Sequence, residues 1–279
     1  GHHVTAVFFL GKMMALFSML FGAGVVVYAR KFDREEGGRF HTRLSTGASL
    51  WYRRIAWLLA FGVVHAVFFW YGDILVRYAM AGFIAVWWVR RWNPKLQIGL
   101  GILGHFVSTL LLLAVSAFGI WALEQGKIPG GSIMGDPAAE MRAYTGSYLD
   151  QFASRLPALA GFWLVFGPLF FPGVTGLMMV GMGLTRLGIL TGERPTRLYA
   201  WMAILGVVGG LGLTVTLFYA LQAAYPRHGG FIWQSMAQFV GIPLALGYMG
   251  LVIWVVRLGL IRAATRALAA VGRMALSNY

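Results

Sequence analysis

Hydrophobic residues occur in long runs along this chain, and the charged residues lie in the connections between those runs. The hydrocarbon core of a bilayer is about 30 Å thick, and an α-helix of about 20 residues crosses it. The pattern predicts an all-α, polytopic transmembrane helical bundle that forms a single domain over residues 1–279. Seven runs are predicted to be transmembrane helices and are named spans A to G: residues 5–28, 51–71, 72–89, 97–122, 157–185, 198–223 and 231–256.

Spans B and C belong to one apolar stretch that the segment WYGDI, residues 70–74, interrupts. The whole stretch is too long for one crossing and long enough for two, so we predict a helical hairpin that turns at Gly72. Span E contains Pro168 and Pro172. Because proline removes a backbone hydrogen bond from a helix interior, span E is predicted to be kinked.

The basic residues predict how the chain is oriented in the membrane. Most of the 23 Lys and Arg residues lie in connections A–B, C–D and E–F and after span G. Short cytoplasmic loops are enriched in Lys and Arg, so these connections are predicted to be cytoplasmic, with residue 1 extracytoplasmic and residue 279 cytoplasmic. The chain starts with Gly1 and stops just after a basic segment, so we expect it to be truncated at both ends.

The composition agrees with this class of protein and excludes some chemistries. Of the 279 residues, 59% are hydrophobic and 11% are charged, whereas about 25% are charged in ordinary soluble domains. The net charge of +14 comes from basic loops between apolar runs, which favours the lipid bilayer as partner and argues against nucleic-acid binding. Because the chain has no cysteine, disulfides, thiolate metal ligands and a cysteine nucleophile are excluded.

Three ionisable residues are predicted to lie at a similar depth in the membrane. An ionisable group at that depth is costly unless it is paired or hydrated, so it is a candidate functional residue. His65 lies about 17 Å along span B from Arg54, Asp73 follows at the hairpin, and Lys12 lies about 10 Å into span A. Together they would supply a general base, a carboxylate that orients it, and a cation for developing negative charge. The candidate catalytic residues are therefore His65, Asp73 and Lys12.

Each of these residues also has a structural interpretation. Lys12 near a helix end can extend its ammonium group to the membrane surface, and His65 can hydrogen-bond to a neighbouring helix. Asp73 and Arg77 are four residues apart at the start of span C, where an ion pair would stabilise the helix. His105 in span D is interpreted as a packing residue. No metal site is predicted, because the histidines lack metal-ligand spacing.

Three segments, in their order and spacing, resemble the signatures of the YeiB family of bacterial inner-membrane proteins. They are GKMMALFSMLFGAG at 11–24, YRRIAWLLAFGVVHAVFFWYGDILVRYAMAGF at 52–83 and VGRMALSNY at 271–279. The resemblance implies a multi-pass protein of the bacterial cell inner membrane. It also implies further helices before and after this chain.

The YeiB family is in turn similar to the transmembrane acyltransferases, which include the acyltransferase-three proteins and the lysosomal heparan glucosaminide acetyltransferases. Those proteins move an acyl group from a cytoplasmic acyl-CoA to an acceptor, often a sugar, on the far side of the membrane. In the acyltransferase-three proteins, a basic residue, ten intervening residues and a His form a motif, and Arg54 and His65 have that spacing. The resemblance therefore implies acyl-CoA as a co-substrate, a lipid or glycan as acceptor, and no covalently bound cofactor.

The acyl-CoA interpretation gives a phosphate-binding role to residues at the cytoplasmic ends of the spans. Arginine suits this role because its guanidinium group can bind phosphate through two parallel hydrogen bonds. Two polar residues at the end of the chain would line the inner mouth of the site. The candidate acyl-CoA residues are Arg53, Arg54, Arg90, Arg91, Arg273, Asn278 and Tyr279.

Two other functions are compatible with the same polar residues. A transporter or channel for a small solute would use them to line an aqueous path, with the kinked span E as the moving element. An accessory subunit of a larger membrane complex would instead pack them shut and cover its lipid-facing surface with partners. A homo-oligomer or a membrane-complex partner is therefore an expectation that the sequence leaves open.

Overall fold

The computed structural model describes residues 4–35, 46–70, 72–127, 137–260 and 262–277. Helices are the only regular secondary structure in these segments, which confirms the all-α class. The first helix is wound as a π-helix. The helices are numbered α1 to α13, with the bounds Thr5–Phe9, Lys12–Glu35, Thr46–Phe68, Leu75–Ala81, Trp87–Val89, Pro94–Glu124, Pro137–Thr145, Tyr148–Arg186, Thr196–Ile204, Gly210–Ala224, Gly229–Val240, Ile242–Leu258 and Arg262–Ser277.

Several of these helices are long and apolar enough to cross a bilayer. In the described residues, four stretches meet this condition, and the bent pair α11 and α12 is a fifth if it is one span. The prediction of about seven spans exceeds this number, and spans B and C account for the difference. Helix α3 carries Arg53, Arg54 and His65 among its apolar residues, and the apolar helix Leu75–Ile84 is short. The four stretches are Thr5–Arg30, Pro94–Glu124, Phe166–Arg186 and Thr196–Ala224.

Helix α2 crosses α8 in close contact because glycines lie at the crossing point. A Cβ atom added to Gly22 would lie 1.9 Å from the carbonyl oxygen of Met178. A Cβ atom added to Gly181 would lie 1.9 Å from the carbonyl oxygen of Met19. Small residues let membrane helices approach in this way, so Gly22 and Gly181 serve helix packing.

A hydrophobic core joins α2, α3, α4, α5 and α8. Trp51 of α3 stacks on Trp87 of α5 with ring centroids 5.7 Å apart, and Met178 and Met182 of α8 are fully buried in the same core. The chain from α4 to α5 is continuous helix, because the residues between them, Gly82–Val86, are π-helical. Helix α3 and the continuous helix from α4 to α5 form the hairpin that was predicted for spans B and C.

Helix α8 begins earlier than span E, at Tyr148 rather than at residue 157. Its start is defined by a capping box, in which Ser147 accepts from the backbone of Asp150 and the Asp150 carboxylate accepts from the backbone of Ser147. Hydrogen bonds from the Ser147 side chain and backbone hold the pKa of Asp150 below its usual value. A charged cap of this kind belongs outside the bilayer, so the first turns of α8 precede its apolar part.

Helix α8 contains three prolines, and α6 supplies hydrogen bonds beside one of them, Pro172. The hydroxyl of Ser108 donates to the carbonyl oxygen of Leu169 at 2.5 Å, and His105 Nδ1 lies 3.1 Å from the carbonyl oxygen of Gly173. Neighbouring helices commonly supply such donors where proline disturbs a membrane helix. The predicted kink of span E stays a prediction.

Spans A, F and G are interrupted or distorted in the structure. Span A is divided between α1 and α2 at Gly11, which has a φ of +78°. Span F contains a π-helical segment, Leu205–Gly209. Span G is divided at Gly241 between α11 and α12, whose axes are bent by 46°. Apolar residues continue through all three places, so the sequence pattern predicts three unbroken spans. In the structure, the backbone changes direction or helical winding at each of these places.

Candidate functional site

The candidate site is a helical corner, residues 65–70 and 72–77, where the end of α3 meets the start of α4. His65 Nδ1 lies 2.8 Å from Asp73 Oδ1. The side chain of Asp73 has no exposed surface, whereas the side chain of His65 is 43% exposed. The imidazole therefore lies between a buried carboxylate and the outside of the bundle.

Asp73 is held in place by the helix that follows it. Its second oxygen, Oδ2, accepts a hydrogen bond of 2.8 Å from the backbone N–H of Val76. The first N–H groups of a helix lack intrahelical acceptors, and Asp73 caps α4 from the position before its N-cap residue, Ile74. Both carboxylate oxygens of Asp73 are therefore engaged, one by the helix and one by His65.

The alternative ion pair between Asp73 and Arg77 is not formed. Arg77 Nη2 donates instead to the carbonyl oxygen of Gly72 at 3.3 Å. Its guanidinium carbon lies 5.0 Å from the ring centroid of Phe170 and 5.7 Å from that of Phe162, both on α8. The four-residue spacing suggested an ion pair, but the Arg77 side chain contacts the turn before α4 and two aromatic rings of α8.

Two residues of α8 hold the last turn of α3, which carries His65. Arg155 Nη1 donates to the carbonyl oxygens of Val67, at 3.3 Å, and of Phe68. The Tyr148 hydroxyl donates to the same Phe68 carbonyl at 2.9 Å. Because the last carbonyls of a helix have no intrahelical donors, these bonds satisfy them and fix the turn.

The hydrogen bond to Asp73 defines which nitrogen of His65 is available as a proton acceptor. With Asp73 as acceptor, the proton of a neutral imidazole lies on Nδ1, and Nε2 carries the lone pair. The ring also stacks on Phe69, with centroids 5.8 Å apart and planes 17° from parallel. A half-exposed imidazole oriented by a buried carboxylate is the arrangement of a general base.

Lys12 does not join this pair, although the sequence predicted a similar depth for all three residues. Its Nζ donates to the carbonyl oxygen of Ala6 at 3.3 Å and lies 5.3 Å from the ring centroid of Trp233. Lys12 is fully buried where the break of span A crosses the break of span G. A Cβ atom added to Gly11 would lie 2.6 Å from the Ala237 carbonyl oxygen, and one added to Gly241 would lie 3.3 Å from the Lys12 side chain. The predicted role of Lys12 beside His65 is therefore not supported by the geometry.

The opposite end of the bundle holds an arginine pocket of about 380 Å³. Arg90 lies over the ring of Trp87 at 3.8 Å and donates to the Trp87 carbonyl oxygen at 2.7 Å. Arg186, at the end of α8, donates to the carbonyl oxygens of Arg90, at 3.2 Å, and of Trp92. The pocket brings together residues from α2, the turn after α5, and α8: Val26, Ala29, Arg30, Arg90, Arg91 and Arg186.

Arg53 and Arg54, which were also predicted to bind acyl-CoA, do not line this pocket. Arg54 lies over the ring of Tyr28, with 4.4 Å between its guanidinium carbon and the ring centroid, and Arg53 is exposed. The side chain of Arg273 and the residues Asn278 and Tyr279 lie outside the described part of the chain. Their predicted role at the inner mouth stays a prediction.

Two other histidines serve as points of comparison. His105 is buried, bonds to Gly173 and stacks on Phe239 with ring centroids 6.1 Å apart, which agrees with its interpretation as a packing residue. His228 Nε2 lies 3.5 Å from Glu124 Oε1, and that carboxylate is 62% exposed. Within the described residues, no group of three or more His, Asp and Glu side chains is arranged to hold a metal ion.

Sequence reasoning missed Arg155 and Tyr148 at the corner, and Arg30 and Arg186 in the pocket. Arg155 is only 4% exposed, although the hydrophobic pattern places it in the outer connection before span E. A signal was available for Arg186, because it is a basic residue at the cytoplasmic end of a predicted span. No feature of the sequence indicated Arg155 and Tyr148, since their contacts depend on how α8 packs against α3.

The helices and the buried polar corner define a multi-pass helical membrane protein. Residues 184–279 match the model of the family described as "Protein of unknown function (DUF418)". The chain is 26% identical over 277 residues to "Uncharacterized protein YeiB" of Escherichia coli (strain K12), which covers 96% of this chain and 66% of that relative. These matches support a YeiB-like family for this chain and confirm the resemblance seen in its three signature segments.

A second relative gives the same result. The chain is 26% identical over 291 residues to "Uncharacterized protein YxaH" of Bacillus subtilis (strain 168), with 96% of this chain and 63% of that relative covered. The chain thus spans slightly less than two thirds of the length of each of these relatives. No solved structure matches the chain.

Proposed function

We propose that this chain is part of a membrane acyltransferase that moves an acyl group from cytoplasmic acyl-CoA to an extracytoplasmic hydroxyl or amine. The observation that carries the proposal is the His65–Asp73 pair, with its 2.8 Å hydrogen bond, buried carboxylate and half-exposed imidazole. General bases in acyl transfer need an imidazole whose free nitrogen is accessible and whose other nitrogen is held by an acceptor. The Asp73 contact and the 43% exposure of the His65 side chain support this role.

In the proposed reaction, His65 Nε2 takes the proton of the acceptor hydroxyl or amine while the acceptor atom bonds to the acyl carbon. The carbon–sulfur bond of the thioester breaks, and the proton passes from His65 to the departing CoA thiolate. Asp73 keeps the imidazole in the required tautomer and stabilises its protonated form. Neither residue changes its covalent state over the cycle.

The arginine pocket supports the choice of acyl donor. Four of the residues that line it are arginines, which suits a phosphate-bearing ligand, and its volume of about 380 Å³ lies within the usual range of small-molecule sites. The helix between Asp73 and Arg90 runs from Leu75 to Val89 and is about 22 Å long at 1.5 Å per residue, which is somewhat less than the thickness of a bilayer core. An acyl donor bound at the arginine pocket and an acceptor bound at the helical corner would fit acyl transfer across the membrane.

The test uses the full-length protein in proteoliposomes with an acetyl-CoA that is labelled on the acetyl group. We expect labelled lipid or glycan to accumulate, and we expect His65→Gln to lower the initial rate about 100-fold to 10,000-fold, the usual contribution of a general base. The matched control is His228→Gln, which removes the histidine of a looser and more exposed carboxylate pair. Equal rates for wild type and His65→Gln would refute the role of His65.

A transporter is the second candidate, because two broken helices cross at a buried lysine. Discontinuous membrane helices with polar groups at the break are a frequent design of transporter binding sites. Here the breaks at Gly11 and Gly241 meet around Lys12, and α11 and α12 are bent by 46°. Solute uptake into proteoliposomes that is lost in Lys12→Met and kept in His65→Gln would favour transport over acyl transfer.

A further inference from the structure

Two arginines lie on either side of the helical corner and are largely withdrawn from solvent. Arg155 is 4% exposed and bonds to the carbonyl groups of Val67 and Phe68, just after His65. Arg77 is half-buried and bonds to the carbonyl group of Gly72, just before Asp73. Both guanidinium groups therefore contact the backbone of the corner within one turn of the pair that carries the proposed function.

The described residues around the two arginines offset only part of their positive charge, because Asp73 attracts Arg77 from beyond ion-pair distance and is the one carboxylate at the corner. Neither guanidinium has a carboxylate within ion-pair distance, and both oxygens of Asp73 are engaged by His65 and Val76. With His65 neutral, the corner holds two cations and one anion. Burying a charge without a partner is strongly unfavourable, so a second anion would stabilise this arrangement.

The hydrogen bonds from the two arginines to the backbone use only one terminal nitrogen of each guanidinium group. Capping of α3 by Arg155 employs Nη1, and the turn bond of Arg77 employs Nη2. The Nε atoms of both residues are buried and have no hydrogen-bond partner in the described part of the molecule. Buried polar atoms are nearly always hydrogen-bonded in proteins, so two such atoms at one corner suggest an acceptor group that belongs to a ligand.

We infer that the helical corner binds an anionic phosphate group, carried either by a membrane lipid or by a water-soluble phosphorylated molecule. Arg155 and Arg77 would hold the phosphate by charge-assisted hydrogen bonds, at the corner that carries His65. The inference rests on the proposed function for one point, that this phosphate-bearing molecule is the acyl acceptor. Binding itself does not depend on acyl transfer.

The test measures binding by native mass spectrometry of the purified full-length protein, with phosphatidylglycerol, phosphatidylcholine and glycerol 3-phosphate as probes. We expect wild type to bind one phosphatidylglycerol at least tenfold more tightly than phosphatidylcholine. Arg155→Gln and Arg77→Gln should each lose that lipid. Competition by glycerol 3-phosphate would indicate that the phosphate group suffices, and its failure to compete would indicate that the ligand is a lipid.

Three controls separate this site from general attraction to a basic protein. Arg142→Gln removes an equal charge from the exposed helix α7 and should keep the preference for phosphatidylglycerol. Arg155→Lys keeps the charge and should keep most of the preference, even if the loss of capping in Arg155→Gln prevents folding. Arg227→Gln removes an equal charge from the exposed turn between α10 and α11 and should also keep the preference.

Two outcomes would overturn the inference. The first is equal binding of phosphatidylglycerol and phosphatidylcholine by wild type together with no binding of glycerol 3-phosphate. The second is full preference in both Arg77→Gln and Arg155→Gln. Failure of the proposed function looks different, because acyl transfer would be absent while the arginine-dependent binding of phosphate remained.

Discussion

The helical corner and the crossing of broken helices at Lys12 both hold ionisable groups inside the bundle, but they differ in access. At the corner the carboxylate of Asp73 is buried and the imidazole of His65 is 43% exposed. At the crossing Lys12 has no exposed surface and lies against a carbonyl oxygen and an aromatic ring. Membrane depth alone therefore does not distinguish the two sites, whereas exposure together with a fixed partner does.

The largest expected effect is that of Asp73→Asn on acyl transfer. An asparagine side chain can still accept from the Val76 N–H, so α4 should keep its cap. It can no longer stabilise a protonated His65 or hold the reactive tautomer, so we expect the rate of acyl transfer to fall about 100-fold or more. The measurement is the initial rate with labelled acetyl-CoA.

The control for this change is Glu124→Gln, which alters the exposed carboxylate beside His228 in the same way. We expect its rate to stay within about twofold of wild type, since exposed ion pairs contribute little. Equal rates for Asp73→Asn and Glu124→Gln would mean that the burial of Asp73 does not matter for the reaction. The contrast between the corner and the Lys12 crossing would then have no functional basis.

Much of the helical content could be predicted from hydrophobic runs, and the His65–Asp73 pair could be predicted because both residues lie on one hairpin. Lys12 contacts Ala6 and Trp233 rather than the residues expected from its depth, and the reason is physical. Helical rise gives the depth of a residue but not the side of the bundle that its helix faces. The breaks at Gly11 and Gly241 were also invisible, because apolar residues continue through them and only the backbone changes.

The second prediction concerns the break at Gly11. Alanine at this position would have to adopt a φ near +78°, and its Cβ would lie 2.6 Å from the Ala237 carbonyl oxygen. The left-handed conformation costs about 1–2 kcal/mol for a residue with a Cβ atom, and the overlap adds to that. We expect Gly11→Ala to lower the free energy of unfolding by about 2 kcal/mol or more in a denaturant titration in mixed micelles.

Gly24 provides the matched position for this measurement. It lies in the same helix, α2, and an added Cβ atom would meet nothing within 4 Å. Alanine is favoured over glycine in helices by about 1 kcal/mol, so Gly24→Ala should be neutral or stabilising. A similar loss of stability in both variants would indicate general sensitivity of α2 rather than a specific requirement at the crossing.

A smaller effect is expected from Tyr148→Phe at the corner. This change removes the hydroxyl that donates to Phe68 and leaves Arg155 as donor to the same carbonyl oxygen. One hydrogen bond contributes about 0.5–1.5 kcal/mol, so we expect a similar loss in the free energy of unfolding and a rate lowered by a few fold. Tyr144→Phe on α7 is the control, and an equal effect there would mean that the contact with α3 is not specific.

The smallest expected effect is that of Lys12→Met on acyl transfer, and it tests the comparison most directly. Methionine is similar in length to lysine and apolar, so it can fill the space between Ala6 and Trp233 without placing a charge there. Replacing a buried charge by an apolar group of similar volume is often neutral or stabilising. We therefore expect the rate of acyl transfer to stay within about twofold of wild type and the free energy of unfolding to change by less than about 1 kcal/mol. A loss of activity as large as that of Asp73→Asn would show that the closed crossing takes part in the reaction, because the bundle would then have to open around Lys12 during each turnover.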